Sequence, residues 1–178
     1  MKTGILICGL NGSGKSTLGR ELARLLGYNF IDIEDCYFPK NNDKYLYAEP
    51  RSDEEMEKVL RDKISGCDNF VLASVRGNFD EEITSRFKII VRINVPKEIR
   101  IKRVRERSFR KFGERMLPGG DLYETEENFF AVVESRTEQY VDGWLSEMNC
   151  PIIQIDGTEP IDQNTEYIAK KLRENKFQ

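Results

Sequence analysis

The 178-residue sequence contains no histidine and only four cysteines. Without an imidazole there is no histidine-based triad, no histidine-ligated metal and no histidine general base, so a catalytic base must be a carboxylate, an amine or water. The cysteines are too widely spaced for a zinc motif or a disulfide framework, and we expect buried free thiols at Cys8, Cys36, Cys67 and Cys150. Zinc enzymes and disulfide-stapled secreted domains are therefore excluded.

Long hydrophobic runs are also absent. The apolar stretch 4–10 is too short to span a bilayer, and it runs into polar residues without the cleavage site of a secretory signal. A formal net charge of −3 and a pI near 5.3 disfavour non-specific binding to nucleic acid, which depends on basic residues. We expect a cytoplasmic protein with neither a membrane nor a nucleic-acid partner, and the sequence carries no indication of an oligomeric state.

Short β-rich runs alternate with longer amphipathic stretches along residues 1–178, which predicts a single domain. Strands are predicted over 5–8, 29–33, 70–74, 89–95 and 152–155, and helices over 15–26, 53–65, 97–110, 124–147 and 161–174. Most of the strands are nearly continuous apolar runs, as in strands covered on both faces. The alternation predicts a three-layer α/β domain built on a parallel sheet.

The strongest motif runs from Gly9 to Ser16 and fits the phosphate-binding pattern G-x-x-x-x-G-K-[ST] at every fixed position. Glycines let successive backbone N–H groups surround phosphate oxygens, and the helix that follows adds the positive end of its dipole. We expect Lys15 to reach the β- and γ-phosphates of a nucleoside triphosphate and Ser16 to bind Mg²⁺. The predicted ATP-binding residues here are Gly9, Asn11, Gly12, Ser13, Gly14, Lys15, Ser16 and Thr17.

With this motif the chain resembles the P-loop small-molecule kinases, the group within the AAA-type P-loop NTPases that contains the adenylate, shikimate and gluconate kinases. The resemblance implies a five-stranded parallel sheet in the order 2-3-1-4-5, a helical lid and a separate pocket for a phosphoryl acceptor. It also implies ATP and Mg²⁺ as the cofactors.

Acidic residues cluster where the second predicted strand ends. Ligands bind beyond the carboxyl ends of parallel strands, so we expect these carboxylates to face the phosphate loop. The segment from Phe30 to Tyr37 resembles the F-x-D-x-D run of the shikimate and gluconate kinases, in which the first acid helps to hold Mg²⁺ through water and the second contacts the acceptor hydroxyl. Asp32 fits the first role. The second falls to Glu34 by spacing or to Asp35 one residue later, and we favour Asp35 because it and Asp32 flank the strand end where the chain turns.

Three arginines are candidates for binding an anionic acceptor, because a guanidinium binds oxyanions through two parallel hydrogen bonds. Arg76 follows the third predicted strand, and Arg51 precedes the second long helix. Arg136, four residues before Tyr140, resembles a family arginine that reaches the acceptor or phosphate site. The third strand lacks the terminal acid of many ATPases, which disfavours a motor ATPase.

Basic residues are concentrated between positions 100 and 115, where eight basic and two acidic residues give a local charge of 8 − 2 = +6. An isolated basic block in an acidic protein is typical of a segment that binds a polyanion. Ile101 and Val104 mark its predicted buried side. Four arginines fall on the opposite helical face, at spacings of three and four: Arg100, Arg103, Arg107 and Arg110.

The segment at about 105–123 resembles the lid of the nucleotide-type kinases, whose arginines stack on adenine and clamp the phosphates. The resemblance implies that Arg107, Arg110 and Arg115 contact phosphates and that Arg103 lies nearer the base. Gly157 belongs to a run that resembles the last-strand turn packed against adenine. The predicted catalytic residues are Lys15, Asp32, Asp35, Arg110 and Arg115.

Together these features predict an ATP- and Mg²⁺-dependent kinase that moves the γ-phosphoryl group to a small, anionic metabolite or nucleotide. Two alternatives stay open. A non-catalytic or regulatory nucleotide-binding protein predicts tight nucleotide binding without acceptor-stimulated turnover. A nucleic-acid 5′-end kinase is favoured by the basic block and disfavoured by the acidic remainder of the chain.

Overall fold

The computed structural model describes residues 3–39, 45 and 47–174. A parallel sheet of five strands in the order β2-β3-β1-β4-β5 forms its centre. The strands are β1 Thr3–Cys8, β2 Asn29–Asp32, β3 Asn69–Ser74, β4 Phe87–Asn94 and β5 Ile152–Asp156. The α/β class and the order 2-3-1-4-5 are thereby confirmed, and the phosphate-binding motif follows the central strand.

Helices connect the strands. They are α1 Lys15–Leu26, α2 Ile33–Tyr37, α3 Asp53–Ser65, α4 Glu81–Thr84, α5 Lys97–Phe112, α6 Tyr123–Ser135, α7 Gln139–Leu145 and α8 Ile161–Glu174, with a 3₁₀ turn over Gly113–Met116. The helix α3 begins with a capping box, in which Ser52 and Glu55 each bind the other's backbone N–H. Among the helices described, none combines the length and apolarity needed to cross a membrane.

Apolar residues cover both faces of the sheet, as the continuous apolar strands predict. Alternate residues of β1 divide between the two layers, with Leu6 packed among α2, α3, α4 and α7 and Ile5 packed among α1 and α8. A smaller cluster formed by Val104, Met116, Phe130 and Val133 joins α5 to α6. The basic segment therefore folds on its own apolar contacts beside the main core.

Two predicted elements end differently. The second strand stops at Asp32 because the chain enters α2 there, with the Asp32 carboxylate accepting the N–H of Glu34 as an N-cap. The predicted long helix 124–147 is broken at 136–138 into α6 and α7, and Arg136 has extended backbone angles (φ −72°, ψ 120°).

The four thiols are free. Cys8 and Cys36 are buried, as predicted, and burial raises the pKa of Cys8 to about 12 and that of Cys36 to about 11. Cys67 and Cys150 are only partly buried, so the prediction of buried thiols is wrong for these two.

Candidate active site

The phosphate loop connects β1 to α1 and adopts backbone angles that require glycine. Gly12 and Gly14 have φ of 82° and 93°, which side chains rarely adopt. A Cβ on Gly12 would lie 2.3 Å from the carbonyl oxygen of Arg100, whereas a Cβ on Gly14 would meet no atom within 4 Å. Gly12 is therefore packed against α5, and Gly14 faces the open space that the sequence assigns to phosphate.

The N-terminus of α1 has no side-chain cap and no acidic residue in its first turn. Its free N–H groups and dipole are therefore available to an anion. Ser16 and Thr17 stand in this first turn and line the same cavity as Gly14. Gly9 and Ser13 are placed beneath the loop, since Ser13 is buried and a Cβ on Gly9 would lie 2.8 Å from its hydroxyl oxygen.

Lys15 is the cation at the centre of the site. Its ammonium group donates to the carbonyl oxygen of Leu10 at 3.1 Å. Burial lowers its pKa to about 8; the nearby Glu34 carboxylate opposes this shift and the Arg107 guanidinium adds to it. A phosphate group would supply a negative charge that stabilises the ammonium form, so Lys15 is placed to favour a polyanionic ligand.

The carboxylates at the end of β2 occupy different positions. Asp32 is buried, lines the cavity, and lies 3.8 Å from the guanidinium of Arg20. Glu34 also lines the cavity, on the side of Lys15. Asp35 is exposed on the outer side of α2 and is not part of the cavity wall. The structure therefore brings Glu34 to the site and not Asp35, the residue that the sequence favours, because the chain is helical after Asp32 rather than extended.

A divalent-cation site would draw on Ser16 and Asp32, which both line the cavity. In the described parts of the chain, no group of three or more acidic, cysteine or histidine side chains is arranged to hold a metal. One hydroxyl and one carboxylate fit Mg²⁺, which keeps several waters and takes its remaining ligands from substrate phosphates.

The arginines of α5 divide into two groups. Arg103, Arg107 and Arg110 line the cavity, and within the described residues none of them pairs with a carboxylate. Arg103 also donates to the carbonyl oxygen of Gly157 at 3.1 Å, which joins the two residues predicted to lie near the base. Arg105, in contrast, faces away and pairs with Glu127 and Glu134 at 2.9 and 3.4 Å.

Three further basic residues are engaged elsewhere. Arg100 is buried and donates to the backbone carbonyl oxygens of Val95 and Asn11, so its predicted place on the exposed face is wrong. The cavity wall includes neither Arg115 nor Arg51. Arg115 pairs with Asp121 at 2.7 Å, and Arg51 donates to the carbonyl oxygen of Cys36 at 2.8 Å.

Arg76, which follows β3, and Arg136, which follows α6, also line the cavity. Arg76 is held by the carboxylates of Asp53 and Glu57, at 2.9 and 3.2 Å, so much of its charge is neutralised. Arg136 donates to the amide oxygen of Asn11 in the phosphate loop at 2.8 Å. The break between α6 and α7 thus places Arg136 against the phosphate loop.

Aromatic side chains form much of the remaining wall, and the sequence analysis did not identify them. They are Tyr37, Phe38, Tyr45, Tyr47, Phe112, Phe129 and Tyr140. Four of them fall between positions 37 and 47, and this local density of aromatic residues is the feature of the sequence that indicates them. The cavity that these groups share with the phosphate loop has a volume of about 630 Å³.

Residues 5–116 match the model of the AAA domain family, and the chain belongs to this family. The Bacillus subtilis protein YqaC, described as uncharacterized, is 26% identical over 183 residues, which cover 98% of this chain and 100% of YqaC. A gluconokinase from Arabidopsis thaliana is 35% identical over 86 residues (43% of this chain, 46% of that one). A shikimate kinase from Chlamydia pneumoniae is 38% identical over 72 residues (40% and 39%). The chain thus spans less than half the length of these two kinases.

Solved structures share the fold over nearly the whole chain. A shikimate kinase from Bacteroides thetaiotaomicron superposes with a TM-score of 0.57 at 19% identity, covering 96% of this chain and 98% of that one. A deoxyadenosine kinase from M. mycoides with bound dCTP superposes with a TM-score of 0.55 at 19% identity, covering 97% and 100%. The family and the fold that the sequence predicts are confirmed.

Proposed function

We propose that this member of the AAA domain family is a kinase that uses ATP and Mg²⁺ to phosphorylate a small metabolite. The observation that carries the proposal is the content of the cavity, which combines a phosphate loop, two carboxylates and four arginines. These four arginines, Arg103, Arg107, Arg110 and Arg136, have no carboxylate partner among the described residues. The gluconokinase, the two shikimate kinases and the deoxyadenosine kinase to which the chain is similar are all kinases, which supports an ATP-dependent kinase.

On this proposal the cations act on the phosphate chain of ATP. Lys15 binds the β- and γ-phosphates, and Arg107 and Arg110 stabilise the charge on the transferring group. Arg103 and Gly157 hold the adenine side. Ser16 and Asp32 would hold Mg²⁺, which would supply positive charge to the phosphate chain. Catalysis is then positioning and electrostatics, without a covalent intermediate on the protein.

Glu34 takes the acceptor-side role. Of the two cavity carboxylates, Glu34 has the larger electrostatic effect on Lys15, and the chain has no histidine to act as base. A carboxylate here orients an acceptor hydroxyl and accepts its proton as the bond to phosphorus forms. Arg136, beside the phosphate loop, is placed to bind the anionic part of the acceptor or the transferring phosphoryl group.

The test is ADP release from ATP and Mg²⁺ across a panel of acceptors, with Lys15→Met as the blank. We expect at least one acceptor class to stimulate release, and Lys15→Met to lower the stimulated rate on the order of 100-fold. ATP binding without stimulation by any acceptor would instead support a regulatory nucleotide-binding protein. Stimulation only by a 5′-hydroxyl oligonucleotide, weakening steeply with salt, would support a nucleic-acid end kinase.

A matched pair of variants identifies the acceptor-side carboxylate. With a hydroxyl acceptor, Glu34→Gln should lower kcat by about 100-fold or more, because the amide cannot accept the proton. Asp35→Asn removes the neighbouring charge from the outer side of α2 and should change kcat less than about twofold. A larger loss in Asp35→Asn than in Glu34→Gln would contradict the assignment to Glu34.

A further inference from the structure

The cavity has two sides, because the sheet order places β2 and β3 on one side of β1 and β4 and β5 on the other. Arg103 and Gly157 belong to the β4–β5 side. Tyr37 and Arg76 follow β2 and β3 and form the opposite wall, where Arg76 donates to the Tyr37 hydroxyl at 3.1 Å. If the β4–β5 side takes the base of ATP, the β2–β3 side is left for the acceptor.

The acceptor side is built largely from aromatic rings that contact one another. The rings of Phe38 and Tyr47 are 4.9 Å apart between centroids, and those of Tyr45 and Phe112 are 5.3 Å apart. None of the seven aromatic residues that line the cavity is fully buried. Phe112 and Phe129 pack partly on the cluster between α5 and α6, and Tyr37 packs partly on the main core, so each of these residues contributes only part of its surface to the cavity wall.

Tyr140 is the most exposed of these seven aromatic residues. The residue is 45% exposed, and its ring lies 4.8 Å from the guanidinium of Arg136, which also donates to Asn11. Trp144, one turn further along α7, packs on Gly77 directly after Arg76. The ring of Tyr140 is thus fixed between the phosphate loop and the acceptor wall without serving the core.

We infer that the acceptor carries a flat heterocyclic ring of nucleobase type and is a nucleoside or a nucleoside monophosphate rather than a saturated hydroxy acid. This inference rests on the proposed kinase function. Ring faces stack on a nucleobase, whereas a saturated hydroxy acid has no flat surface to match the aromatic rings that form much of this wall. The class differs from gluconate and shikimate, after which several of the sequence relatives are named.

The chemistry of the transfer is the same for both acceptors. The bond between the γ-phosphorus and the bridging oxygen breaks, its electron pair leaves with ADP, and a new bond forms between the γ-phosphorus and an acceptor oxygen. A hydroxyl acceptor gives its proton to Glu34, whereas an ionised phosphate acceptor needs no proton transfer. The two acceptors therefore differ in their dependence on Glu34.

The first experiment measures ADP release by the full chain in three arms. One contains AMP, GMP, CMP and UMP, the second the corresponding nucleosides, and the third gluconate and shikimate. We expect one of the first two arms to raise the rate at least tenfold above the acceptor-free rate. Stimulation by gluconate or shikimate alone would overturn the inference and leave the proposed kinase function intact. Stimulation in none of the three arms would overturn the inference and would not support the kinase function.

The second experiment replaces the ring. Tyr140→Ala should raise the KM of the stimulating acceptor about tenfold, which corresponds to ~1.4 kcal/mol, and leave the KM of ATP within twofold. Tyr140→Phe should restore the wild-type value, because the ring and not the hydroxyl makes the contact. Tyr167→Ala is the matched control, since Tyr167 is 46% exposed on α8, outside the cavity.

Each other outcome of the ring experiment contradicts the inference. Thermal unfolding shows whether both variants are folded. If they are, an equal acceptor KM in Tyr140→Ala and Tyr167→Ala would mean that the exposed ring does not bind the acceptor. A rise in the KM of ATP alone would mean that the rings hold the donor base.

Discussion

Replacing Gly77 by alanine tests the packing that positions the acceptor wall, and it needs no knowledge of the acceptor. A Cβ at this buried position would lie 2.3, 2.7 and 2.8 Å from three carbons of the Trp144 ring. Carbon atoms pack best at about 3.5–4.0 Å, so the ring has to retreat by roughly an ångström. Trp144 is only 8% exposed and cannot move freely.

The expected magnitude follows from overpacking. An extra methyl group in a well-packed site costs about 1–3 kcal/mol. In a chain of this length each kcal/mol shifts Tm by about 2–4 °C, so Gly77→Ala should lower Tm by about 2–12 °C. Trp144 is the single tryptophan of the chain, so its fluorescence should change in the folded variant.

Gly143→Ala is the matched control. Gly143 is exposed within α7, and a Cβ there would meet no atom within 4 Å. Alanine in a helix interior is about 0.5–1 kcal/mol more favourable than glycine, so this variant should raise Tm. Thermal unfolding followed by circular dichroism and by fluorescence measures both variants. A Gly77→Ala protein as stable as the wild type, with unchanged fluorescence, would show that Trp144 does not cover Gly77, and the placement of Tyr140 would be wrong with it.

Two further predictions separate structural from functional cations. Arg105→Ala should lower the free energy of unfolding by about 1–2 kcal/mol, because it removes two half-exposed ion pairs and a guanidinium 4.3 Å from the Phe130 ring. Arg110→Ala should leave stability unchanged and lower kcat about tenfold or more, because this guanidinium acts on the transition state. Denaturant unfolding and steady-state kinetics of both variants check this, and the opposite pattern would reverse the two roles. With a pKa of about 8, Lys15 should lose its charge as the pH rises through 8, and the affinity for ATP should fall over the same range. Because bound phosphate favours the protonated amine, ATP binding at pH 8.5 in EDTA should be accompanied by uptake of a proton. Calorimetry in two buffers of different ionisation enthalpy measures the uptake, and equal uptake by Lys15→Met would contradict the assignment to this amine.

The phosphate loop was predictable because its chemistry is local. Gly9 and Gly14, the two fixed glycines of the pattern, have positive φ, and Lys15 and Ser16 follow at fixed spacing on the first turn of α1. No distant contact is needed to interpret such a motif. The sheet order, in contrast, came from the family resemblance, because alternation of strands and helices does not set which strands are neighbours.

The choice between Glu34 and Asp35 could not be made from spacing because it depends on a competition at Asp32. A continuing strand would alternate side chains between faces, whereas an N-cap turns the next residues into a helix. Asp32 caps α2, and the apolar residues Ile33 and Cys36 pack into the core. Glu34 is left on the cavity side and Asp35 on the outer side.

The basic block shows why a count of charges is a weaker guide than their pairing. Successive residues of a helix are rotated by about 100°, so Arg105 and Arg107 face different surroundings although they are near neighbours in sequence. Arg105 pairs with carboxylates of α6, Arg115 pairs with Asp121, and Arg100 donates to backbone carbonyl oxygens. A charge already matched in the folded chain gains little from a ligand.

What remains unmatched is concentrated where the ligand is proposed to bind. Arg103, Arg107 and Arg110 of α5 have no carboxylate partner among the described residues, and all three line the cavity that contains Lys15. Like charges gathered around one cavity repel each other, and the Arg107 guanidinium already lowers the pKa of Lys15. A triphosphate removes this repulsion, so the same charges that disfavour the empty site favour the nucleotide-bound one. The affinity for a polyanion is therefore set by which arginines lack partners, and this depends on the turns of α5 and α6 rather than on the composition of the segment.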